Sequence, residues 1–392
     1  MRSIQRRPFH TILTLSTVVI AVTALFTSLW LGKGLERGLK LGMEKLGADI
    51  LVLPREAEAK PEQVLFTGFP LNIYMDRSLL YDIRKIPGVK QATPELFTRT
   101  SDAMCCNLES AGRVVGIDFE TDFVVKPWMK NVPETLGKDK AIVGNKIDAR
   151  ADEFILIRGQ LFRVVDQLPP TGTGIDDVAY ISIEVAARIA KESPDLAEYW
   201  TEKSPDQLVS SILVRVDDPN SINAIVDKIS KLEGANAIPA SQIVYETKQR
   251  MSTFTGLLYT LTAVLWLVSL VSLIGRFAGL VIERKTEIGI LRALGAMRWS
   301  VFRLILWEAG CLAIASSLIG LGLGWFVSRF AVGWVTSGSA VPFLSLPISQ
   351  IAILSLWCLL AAVGTVLISA LFPAYYSASL DPARAIAQGE LE

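Results

Sequence analysis

The fold is decided by a charged segment that lies between two long apolar runs, Glu283-Arg284-Lys285-Thr286-Glu287-Ile288-Gly289-Ile290-Leu291-Arg292-Ala293-Leu294-Gly295-Ala296. Its apolar residues recur at three- and four-residue spacing, which predicts that they share one face of a short amphipathic helix: Ile288, Leu291 and Leu294 or Gly295. The charged side chains supply an exposed polar surface. On the cytoplasmic side of a membrane, such a segment is suited to docking a soluble partner.

Four apolar runs of about twenty residues or more predict four membrane-spanning helices. They occupy residues 11–31, 254–282, 304–330 and 351–373. Each is long enough to cross a hydrocarbon core of about 30 Å, and four such runs would not fit inside one soluble core. The first run is longer than the apolar part of a signal peptide, so we expect it to be an uncleaved anchor.

Basic residues beside these runs predict the orientation of the chain. They lie before the first run, between the second and third, and after the fourth: Arg2, Arg6, Arg7, Arg284, Lys285, Arg292, Arg298, Arg303 and Arg384. We therefore expect residues 1–10, 283–303 and 374–392 in the cytoplasm, with both termini inside. Residues 32–253 and 331–350 would then lie on the outer side of a cytoplasmic (inner) membrane.

The long outer segment, residues 32–253, predicts a mixed α/β domain. We expect strands near residues 48–54, 97–108, 113–118, 141–144, 153–157, 161–166, 180–182 and 212–216, and a short strand or linker at 237–239. Helices are expected at residues 76–85, 183–191 and 221–232. Residues 33–46 and 241–252 also have helical spacing, so both adjoining membrane helices should continue outward as stalks.

The segment from Glu283 to Ala296 closely resembles the signature of MacB/FtsX-like ABC transporter permeases, also called type VII. Three further stretches are similar to that family. They are residues 46–54 at the start of its extracytoplasmic core domain, residues 162–181 with Pro170-Thr171-Gly172-Thr173-Gly174, and residues 375–386 with Asp381-Pro382-Ala383-Arg384-Ala385. The resemblance implies a membrane protein with four transmembrane helices. A large mixed α/β extracytoplasmic domain would stand on helical stalks between helices 1 and 2.

The resemblance also implies a dimer with a second permease copy or a paralogue, together with two copies of an ABC ATPase subunit. The charged segment would then be the coupling helix that sits on the ATPase. This assigns ATPase coupling to nine residues: Glu283, Arg284, Lys285, Glu287, Ile288, Gly289, Leu291, Arg292 and Gly295. The alternative is an interfacial helix without a partner. Two glycines oppose it, because glycine costs about 1 kcal/mol inside a helix and here indicates close packing or sharp turns.

The sequence shows no phosphate-binding P-loop. Neither Gly-Lys pair, Gly32-Lys33 or Gly137-Lys138, has a glycine at the required earlier position. We therefore expect that this chain is not an enzyme and needs no cofactor, and that a separate ATPase subunit binds ATP and Mg²⁺. Membrane lipids and an outer soluble or lipoprotein partner are further expected contacts. The net charge of +0 gives no reason to expect nucleic acid.

Three residues of the third apolar run suggest packing inside the membrane. Gly320 and Gly324 form a small-xxx-small pair, which permits close helix approach within or between protomers. The alternative is that they give flexibility to a lipid-facing surface. Glu308 lies one to two turns into the run. It is either a coupling or gating contact or a carboxylate near the interface that is paired or hydrated, with Arg303 close in sequence.

Cys105 and Cys106 suggest thiol or soft-metal chemistry in the outer segment. Adjacent Cα atoms are about 3.8 Å apart, below the usual disulfide limit of about 4.4 Å, and neighbouring strand side chains point to opposite faces. We therefore predict no metal site. His10 is the sole histidine, which excludes a multi-histidine metal centre. No nucleophile–base arrangement stands out, so no catalytic residue is assigned.

These features favour the transmembrane permease subunit of an ATP-driven ABC transporter, and the family resemblance implies that it works by mechanotransmission. The expected cargo is amphipathic, a lipoprotein, a peptide, a drug or a haem-like molecule, exported or extracted at the outer side. One alternative is a non-transporting scaffold that activates a cell-wall hydrolase, although such relatives have outer domains smaller than the roughly 220 residues found here. Another is a metal-uptake or redox-linked permease that uses Cys105 and Cys106.

Overall fold

The computed structural model describes residues 8–45, 47–55, 61, 64–65, 73–99, 113–194, 200, 203–283, 288–290, 294–336 and 343–379. The chain divides into two compact units. The membrane unit comprises Met1–Lys33, Ser252–Trp334 and Leu346–Glu392. The outer unit comprises Gly34–Met251 and Val335–Ser345.

Four long helices carry the apolar runs: α1 (Pro8–Lys45), α5 (Ala240–Glu283), α6 (Arg298–Thr336) and α7 (Ile348–Ser379). Each contains a stretch long and apolar enough to cross a membrane by length and composition. The predicted helical fold class is thereby confirmed. Inside the membrane unit, small and branched residues of all four helices form one core: Val18, Val22, Leu273, Phe277, Ala309, Ala313, Ala362, Val366 and Ala370.

The outer unit is built on a nine-stranded mixed sheet, with the order β11-β1-β10-β3-β4-β8-β5-β7-β6. Its strands are β1 (Ile50–Pro54), β3 (Val89–Arg99), β4 (Arg113–Ile117), β5 (Lys140–Val143), β6 (Phe154–Ile157), β7 (Gln160–Gln167), β8 (Val178–Ser182), β10 (Ser211–Val216) and β11 (Ala235–Pro239). The β4–β8 and β5–β7 pairs are parallel, and the other pairs are antiparallel. A separate pair joins β2 (Met75–Asp76) to β9 (Leu208–Val209).

The two faces of this sheet are covered differently. One face packs on three short helices, α2 (Ser78–Arg84), α3 (Ile183–Glu192) and α4 (Ile222–Ser230), through a core that includes Ile83, Ile189 and Ile229. The other face is covered by loop residues such as Phe119 and Trp128 and by the outer parts of the long helices: Leu39 of α1 and Ile243 of α5. The alternation of buried side chains between two cores follows from the two-residue period of a strand.

The outer ends of α1 and α5 are fastened to neighbouring strands. Strand β1 follows α1 in the chain, β11 leads directly into α5, and these two strands pair antiparallel from Ile50–Pro239 to Pro54–Ala235. The first residue of α5, Ala240, donates its N–H to the Asp49 carbonyl at 2.8 Å. Arg215 of β10 donates from Nε to the Gly47 carbonyl at 2.9 Å, which holds the link between α1 and β1.

Most outer elements lie where the sequence predicts them. Both stalk helices are confirmed, because α1 and α5 are continuous through the predicted stalk residues. The predicted strand at 97–108 begins earlier, at Val89, and its predicted turn at 109–112 lies outside the described residues. The pairing of this strand with β4 is confirmed by the register Arg99–Arg113. The two-residue strands β2 and β9 were not predicted, because each has too few residues to show a period.

A carboxyl group lies inside the outer unit. Glu95 of β3 is buried on the same face as Phe97, and it accepts a hydrogen bond from Ser211 Oγ to Oε2 at 3.0 Å. Burial raises the pKa of Glu95 to about 7, the Ser211 hydrogen bond opposes the rise, and Asp122 adds to it. The folded protein therefore binds this proton more tightly than the unfolded chain does.

The buried carboxyl predicts that the outer unit loses stability as the pH rises. The pKa of Glu95 is about 7 in the folded protein, whereas its ordinary value, expected in the unfolded chain, is 4.5. The folded state therefore binds the proton more tightly than the unfolded state. The free energy of unfolding should therefore fall by about 3 kcal/mol between pH 4.5 and pH 7 and stay level above that. Glu95→Gln should remove this fall, measured as the thermal midpoint of the detergent-solubilised chain at pH 5 and pH 8.

The matched control is Glu120→Gln, which changes an exposed carboxylate of the same unit. It should leave the pH dependence as in the parent chain. If Glu95→Gln retained the parent's full decline in midpoint between pH 5 and pH 8, the assignment of a protonated Glu95 would be wrong.

Candidate functional site

The described part of the charged segment forms a short helical turn that ends at a glycine. Helix α5 ends at Glu283, which is exposed, and residues 288–290 are again helical. Leu294 donates its N–H to the Ile290 carbonyl at 3.0 Å, and Gly295 follows with a φ of +98°. This left-handed conformation favours glycine and terminates helices. The remaining predicted coupling residues lie outside the described residues: Arg284, Lys285, Glu287, Leu291 and Arg292.

One side of this segment is anchored to the membrane unit. Ile288 is buried in a small core with Val301 and Ile305 of α6 and Ala374 of α7. Gly289 beside it is also buried. The segment is therefore packed directly against α6 and α7.

Four apolar side chains of this segment and of the start of α6 are exposed, and one of them, Trp299, stacks on Phe302. They are Ile290, Leu294, Met297 and Trp299. Leu294 is 81% exposed, although its spacing had placed it on one face with Ile288. The two residues are six positions apart, which is about 120° around a helix of 3.6 residues per turn, so they do not share a face. An exposed apolar group flanked by charged residues is typical of a surface that binds another protein or a membrane.

The predicted glycine pair in α6 faces α1. A Cβ added at Gly320 would lie 2.9 Å from Val22 Cβ and 3.0 Å from the Val19 carbonyl oxygen. A Cβ added at Gly324 would lie 3.0 Å from the Phe26 ring. The glycine between them, Gly322, would meet nothing within 4 Å. These contacts define a helix seam in which backbones approach more closely than side chains would allow.

Hydroxyl groups bridge the same seam. Thr23 donates to the Gly320 carbonyl at 3.0 Å, and Thr27 donates to the Gly324 carbonyl at 3.4 Å. Ser328 of α6 donates to Thr27 Oγ1 of α1 at 3.4 Å. Polar side chains therefore hold α1 and α6 together where the small residues let them approach.

The other residues singled out from the sequence are not gathered at this seam. Glu308 is half-buried in α6. Cys105 and Cys106 lie outside the described residues, whereas Cys311 and Cys358 are free thiols of the membrane unit. Among the described residues, no group of three or more His, Cys, Asp or Glu side chains could hold a metal ion.

The sequence did not predict a contact inside the outer unit that joins residues 343–345 to Gly34 and Gly172. Residues 343–345 form a strap, which is held by Phe343 N–H to the Gly172 carbonyl at 2.7 Å and Leu344 N–H to the Gly34 carbonyl at 3.1 Å. Arg37 also donates from Nη1 to the Ser345 carbonyl at 3.3 Å. The Phe343 ring sits against Gly34, where an added Cβ would lie 2.3 Å from ring atom Cε2.

The loop that receives the strap is organised by one carboxylate. Asp176 accepts from Thr171 N–H and Thr171 Oγ1 at 2.8 Å each, and from Gly172 N–H at 2.9 Å. Burial raises the pKa of Asp176, and these hydrogen bonds oppose the rise. Gly172 has a φ of +71°, and its added Cβ would lie 2.6 Å from the Phe343 carbonyl oxygen. The glycines at 34 and 172 were the sequence signal for this contact, but their partner is distant in the chain.

The helix seam predicts a difference between two glycines of one helix. Gly320→Ala and Gly322→Ala gain the same helix propensity, so their comparison isolates the crowding at Val22 and Val19. We expect Gly320→Ala to be less stable than Gly322→Ala by about 1–3 kcal/mol, seen as a lower thermal midpoint in the same detergent. Equal midpoints for the two variants would contradict the seam.

The strap predicts a similar difference between two loop glycines. Gly172 and Gly159 both have positive φ, +71° and +80°, but nothing lies within 4 Å of a Cβ added at Gly159. Alanine at either position adds backbone strain of about 1–2 kcal/mol, and only Gly172→Ala also displaces the strap. Gly172→Ala should therefore have the lower unfolding midpoint by about 1–3 kcal/mol. A Gly159→Ala loss as large as that of Gly172→Ala would refute a close strap contact.

Two family models together match nearly the whole chain. Residues 11–232 match the model described as MacB-like periplasmic core domain. Residues 259–382 match the model described as FtsX-like permease C-terminal. The first covers more than half of the 392 residues, and the second contains the segment from Glu283 to Ala296.

Curated relatives agree with these models. The macrolide export ATP-binding/permease protein MacB of Wolinella succinogenes is 25% identical over 98% of this chain and 59% of its own length. An uncharacterized ABC transporter permease of Methanocaldococcus jannaschii, MJ1507, is 23% identical over 82% of this chain and 81% of its own length. The pyoverdine export ATP-binding/permease protein PvdT of Pseudomonas savastanoi is 23% identical over 96% of this chain and 57% of its own length. The chain thus spans less than two thirds of the combined ATP-binding/permease relatives.

Solved structures of outer domains are also similar in part. The periplasmic region of MacB from Actinobacillus actinomycetemcomitans is 10% identical, covers 53% of this chain and 95% of that chain, and has a TM-score of 0.33. The extracellular domain of the transporter YknZ from Gram-positive bacteria is 11% identical, covers 49% of this chain and 98% of that chain, and has a TM-score of 0.29. On the matched family models, this chain belongs to the MacB/FtsX-like family of ABC transporter permeases.

Proposed function

We propose that this chain is the transmembrane permease subunit of an ATP-driven transporter that works by mechanotransmission. Two permease copies, identical or paralogous, would assemble with two ABC ATPase subunits that bind ATP and Mg²⁺. ATP-driven closure of the ATPases would displace the segment between α5 and α6. The long helices would carry this displacement to the outer unit, which would act on cargo outside the cytoplasmic membrane.

The observation that carries the proposal is the two-sided construction of the segment between α5 and α6. Ile288 is buried against α6 and α7, so the segment is coupled to the membrane helices. Leu294 is 81% exposed, so the segment also presents an apolar side chain that a partner protein could cover. Basic residues of the same segment favour the cytoplasmic side, where an ATPase would meet it.

The long helices support transmission over distance. Helix α1 has 38 residues and α5 has 44, which correspond to about 57 Å and 66 Å at 1.5 Å per residue. Both exceed the roughly 20 residues that a bilayer core requires. A continuous helix resists bending, so motion at its inner end reaches its outer end.

The membrane unit lacks the polar lining that a solute path would use, as far as its described residues show. Its hydroxyl groups repeatedly donate to carbonyls three or four residues earlier in their own helices, for example Ser16, Thr262, Ser317, Ser355 and Ser369. Satisfied hydroxyls leave an apolar surface. This supports an outer site of cargo handling in preference to passage between the helices.

The names of the relatives guide the proposed cargo. MacB of Wolinella succinogenes and PvdT of Pseudomonas savastanoi are named for macrolide export and pyoverdine export. By analogy, we propose an exported amphipathic molecule as the cargo of this chain. Peptides, lipoproteins, drugs and haem-like molecules remain within this proposal.

The test changes the exposed apolar surface without disturbing the core. Leu294→Asp should lower association with the ABC ATPase by about tenfold or more, because losing a central apolar contact of an interface commonly costs 2 kcal/mol or more. The measurement is recovery of the ATPase with the tagged chain from its native membranes, followed by ATP hydrolysis in nanodiscs. Arg292→Glu and Glu287→Lys should weaken the same association.

The control is Ile348→Asp. Ile348 is a similarly exposed apolar residue (85%) and the first residue of α7, and the predicted topology places it on the outer side. It should leave ATPase recovery unchanged. Recovery of the ATPase with Leu294→Asp as with the parent would refute the docking surface. Cargo-stimulated hydrolysis supports transport, whereas recovery of a cell-wall hydrolase on the outer unit with no cargo stimulation would favour the scaffold.

A further inference from the structure

One arginine lies inside the apolar run of α5. Arg276 is half-buried, and its Nη1 atom is buried without a hydrogen-bond partner. Its other two nitrogens, Nε and Nη2, are not enclosed in this way, and Arg276 forms no ion pair with any residue that the structure describes. A cation in a membrane helix is costly and almost always has a partner. A partner would therefore come from outside the described part of the chain.

The length of α5 allows Arg276 to lie at the edge of the hydrocarbon core. No charged residue occurs between Arg250 and Arg276, and their Cα atoms are about 39 Å apart at a rise of 1.5 Å per residue. The hydrocarbon core is about 30 Å thick, and the bilayer with its headgroup layers is about 40–45 Å thick. Both arginines can therefore lie in headgroup layers. The predicted topology places Arg276 in the cytoplasmic one.

The surface of α5 beside Arg276 is open. A Cβ added at Gly275, or at Gly279 about one turn further on, would meet nothing within 4 Å. Ser272 lies one turn earlier on the side of Arg276, and its hydroxyl makes no hydrogen bond within the described residues. By contrast, Thr262 of the same helix donates to a carbonyl one turn earlier. An unused hydroxyl and two glycines thus border the guanidinium.

These free groups match a phosphate that carries apolar chains. Nε and Nη2 of Arg276 form one edge of the guanidinium, which can donate two parallel hydrogen bonds to phosphate oxygens. The Ser272 hydroxyl, about 5.4 Å further along the helix axis, can donate to a third oxygen. The neighbouring side chains of Val271 and Ile274 are 63% and 39% exposed, so a ligand at this site also meets apolar surface. A phospholipid offers both kinds of contact.

We infer that Arg276, together with Ser272, binds the phosphate of a phospholipid in the leaflet beside the segment between α5 and α6. The lipid has a net negative charge, because the Arg276 cation is otherwise uncompensated. Gly275 and Gly279 leave room for its headgroup. The bound lipid holds the inner part of α5 at a fixed depth, where Phe277 enters the core of the membrane unit. This site involves no ATPase and no cargo.

The test measures the binding of phosphatidylglycerol to the full chain, purified in detergent and freed of native lipid. Native mass spectrometry resolves each bound lipid, and a titration gives its dissociation constant. Arg276→Gln should weaken the tightest binding by about tenfold or more, because it removes the charge from the hydrogen-bonded pair. Arg276→Lys keeps the charge without the fork, so its affinity should lie between those of the parent and Arg276→Gln. Ser272→Ala should weaken binding by about threefold.

The matched control is Arg329→Gln, which removes another cation of the membrane unit. Arg329 of α6 is exposed and lies over the Trp325 ring, 5.6 Å from its centroid. This variant should bind phosphatidylglycerol as the parent does. Glycerol 3-phosphate, which has the phosphate without acyl chains, should not compete with the lipid. The thermal midpoint of each lipid-free variant verifies the fold, and the same spectra report how many copies of the chain associate.

Each outcome decides the proposal. A loss of affinity in Arg276→Gln that Arg329→Gln does not share supports it. Unchanged affinity in Arg276→Gln, or an equal loss in Arg329→Gln, would overturn the site, and competition by glycerol 3-phosphate would overturn the lipid as its ligand. If Arg276→Gln separated associated copies and left lipid binding unchanged, the partner would be a carboxylate of a second copy and the inference would fail. Because neither ATP nor cargo is present, this result is independent of the proposed transport function.

Discussion

The hydrocarbon core of a bilayer offers no hydrogen-bond partners, and the membrane unit is organised around that constraint. Its spanning segments are helices, which satisfy their own backbone groups. Serine and threonine hydroxyls donate to carbonyls of their own helix or, at Thr23 and Thr27, to carbonyls of α6 beside glycines. Lipid supplies little hydrophobic force between helices, so close packing at Gly320 and Gly324 supplies cohesion.

The sequence predicted elements with a clear period and missed those fixed by distant partners. Membrane helices and strands such as β10 have long apolar or alternating patterns. The first half of β3 has none, because Lys90, Gln91 and Pro94 interrupt it. It is a strand because β10 pairs with it from Val89 to Glu95. The order of nine strands could not be predicted for the same reason, since each pairing joins residues far apart in the chain.

The sequence predicted which residues belong to the candidate site, but not which elements those residues contact. The small-xxx-small spacing of Gly320 and Gly324 indicates close helix approach, but one sequence does not name α1 as the partner. Spacing grouped Leu294 or Gly295 with Ile288, whereas Leu294 is exposed and Ile288 is buried, because six residues correspond to about 120° around a helix. The contact of the strap with Gly34 and Gly172 is only weakly indicated in the sequence. A glycine in a helix and a Thr-Gly-Thr-Gly loop are informative only once Phe343 is seen between them.

The attachment of α1 and α5 to adjacent strands gives the proposed mechanism a physical form. Strands β1 and β11 are joined by a ladder of backbone hydrogen bonds that ends at the Ala240–Asp49 contact, where α5 begins. Such a ladder resists sliding, because a shift of one residue would move buried side chains to the opposite face. In the proposed mechanism, relative motion of the two long helices would therefore be transmitted to the sheet through this ladder.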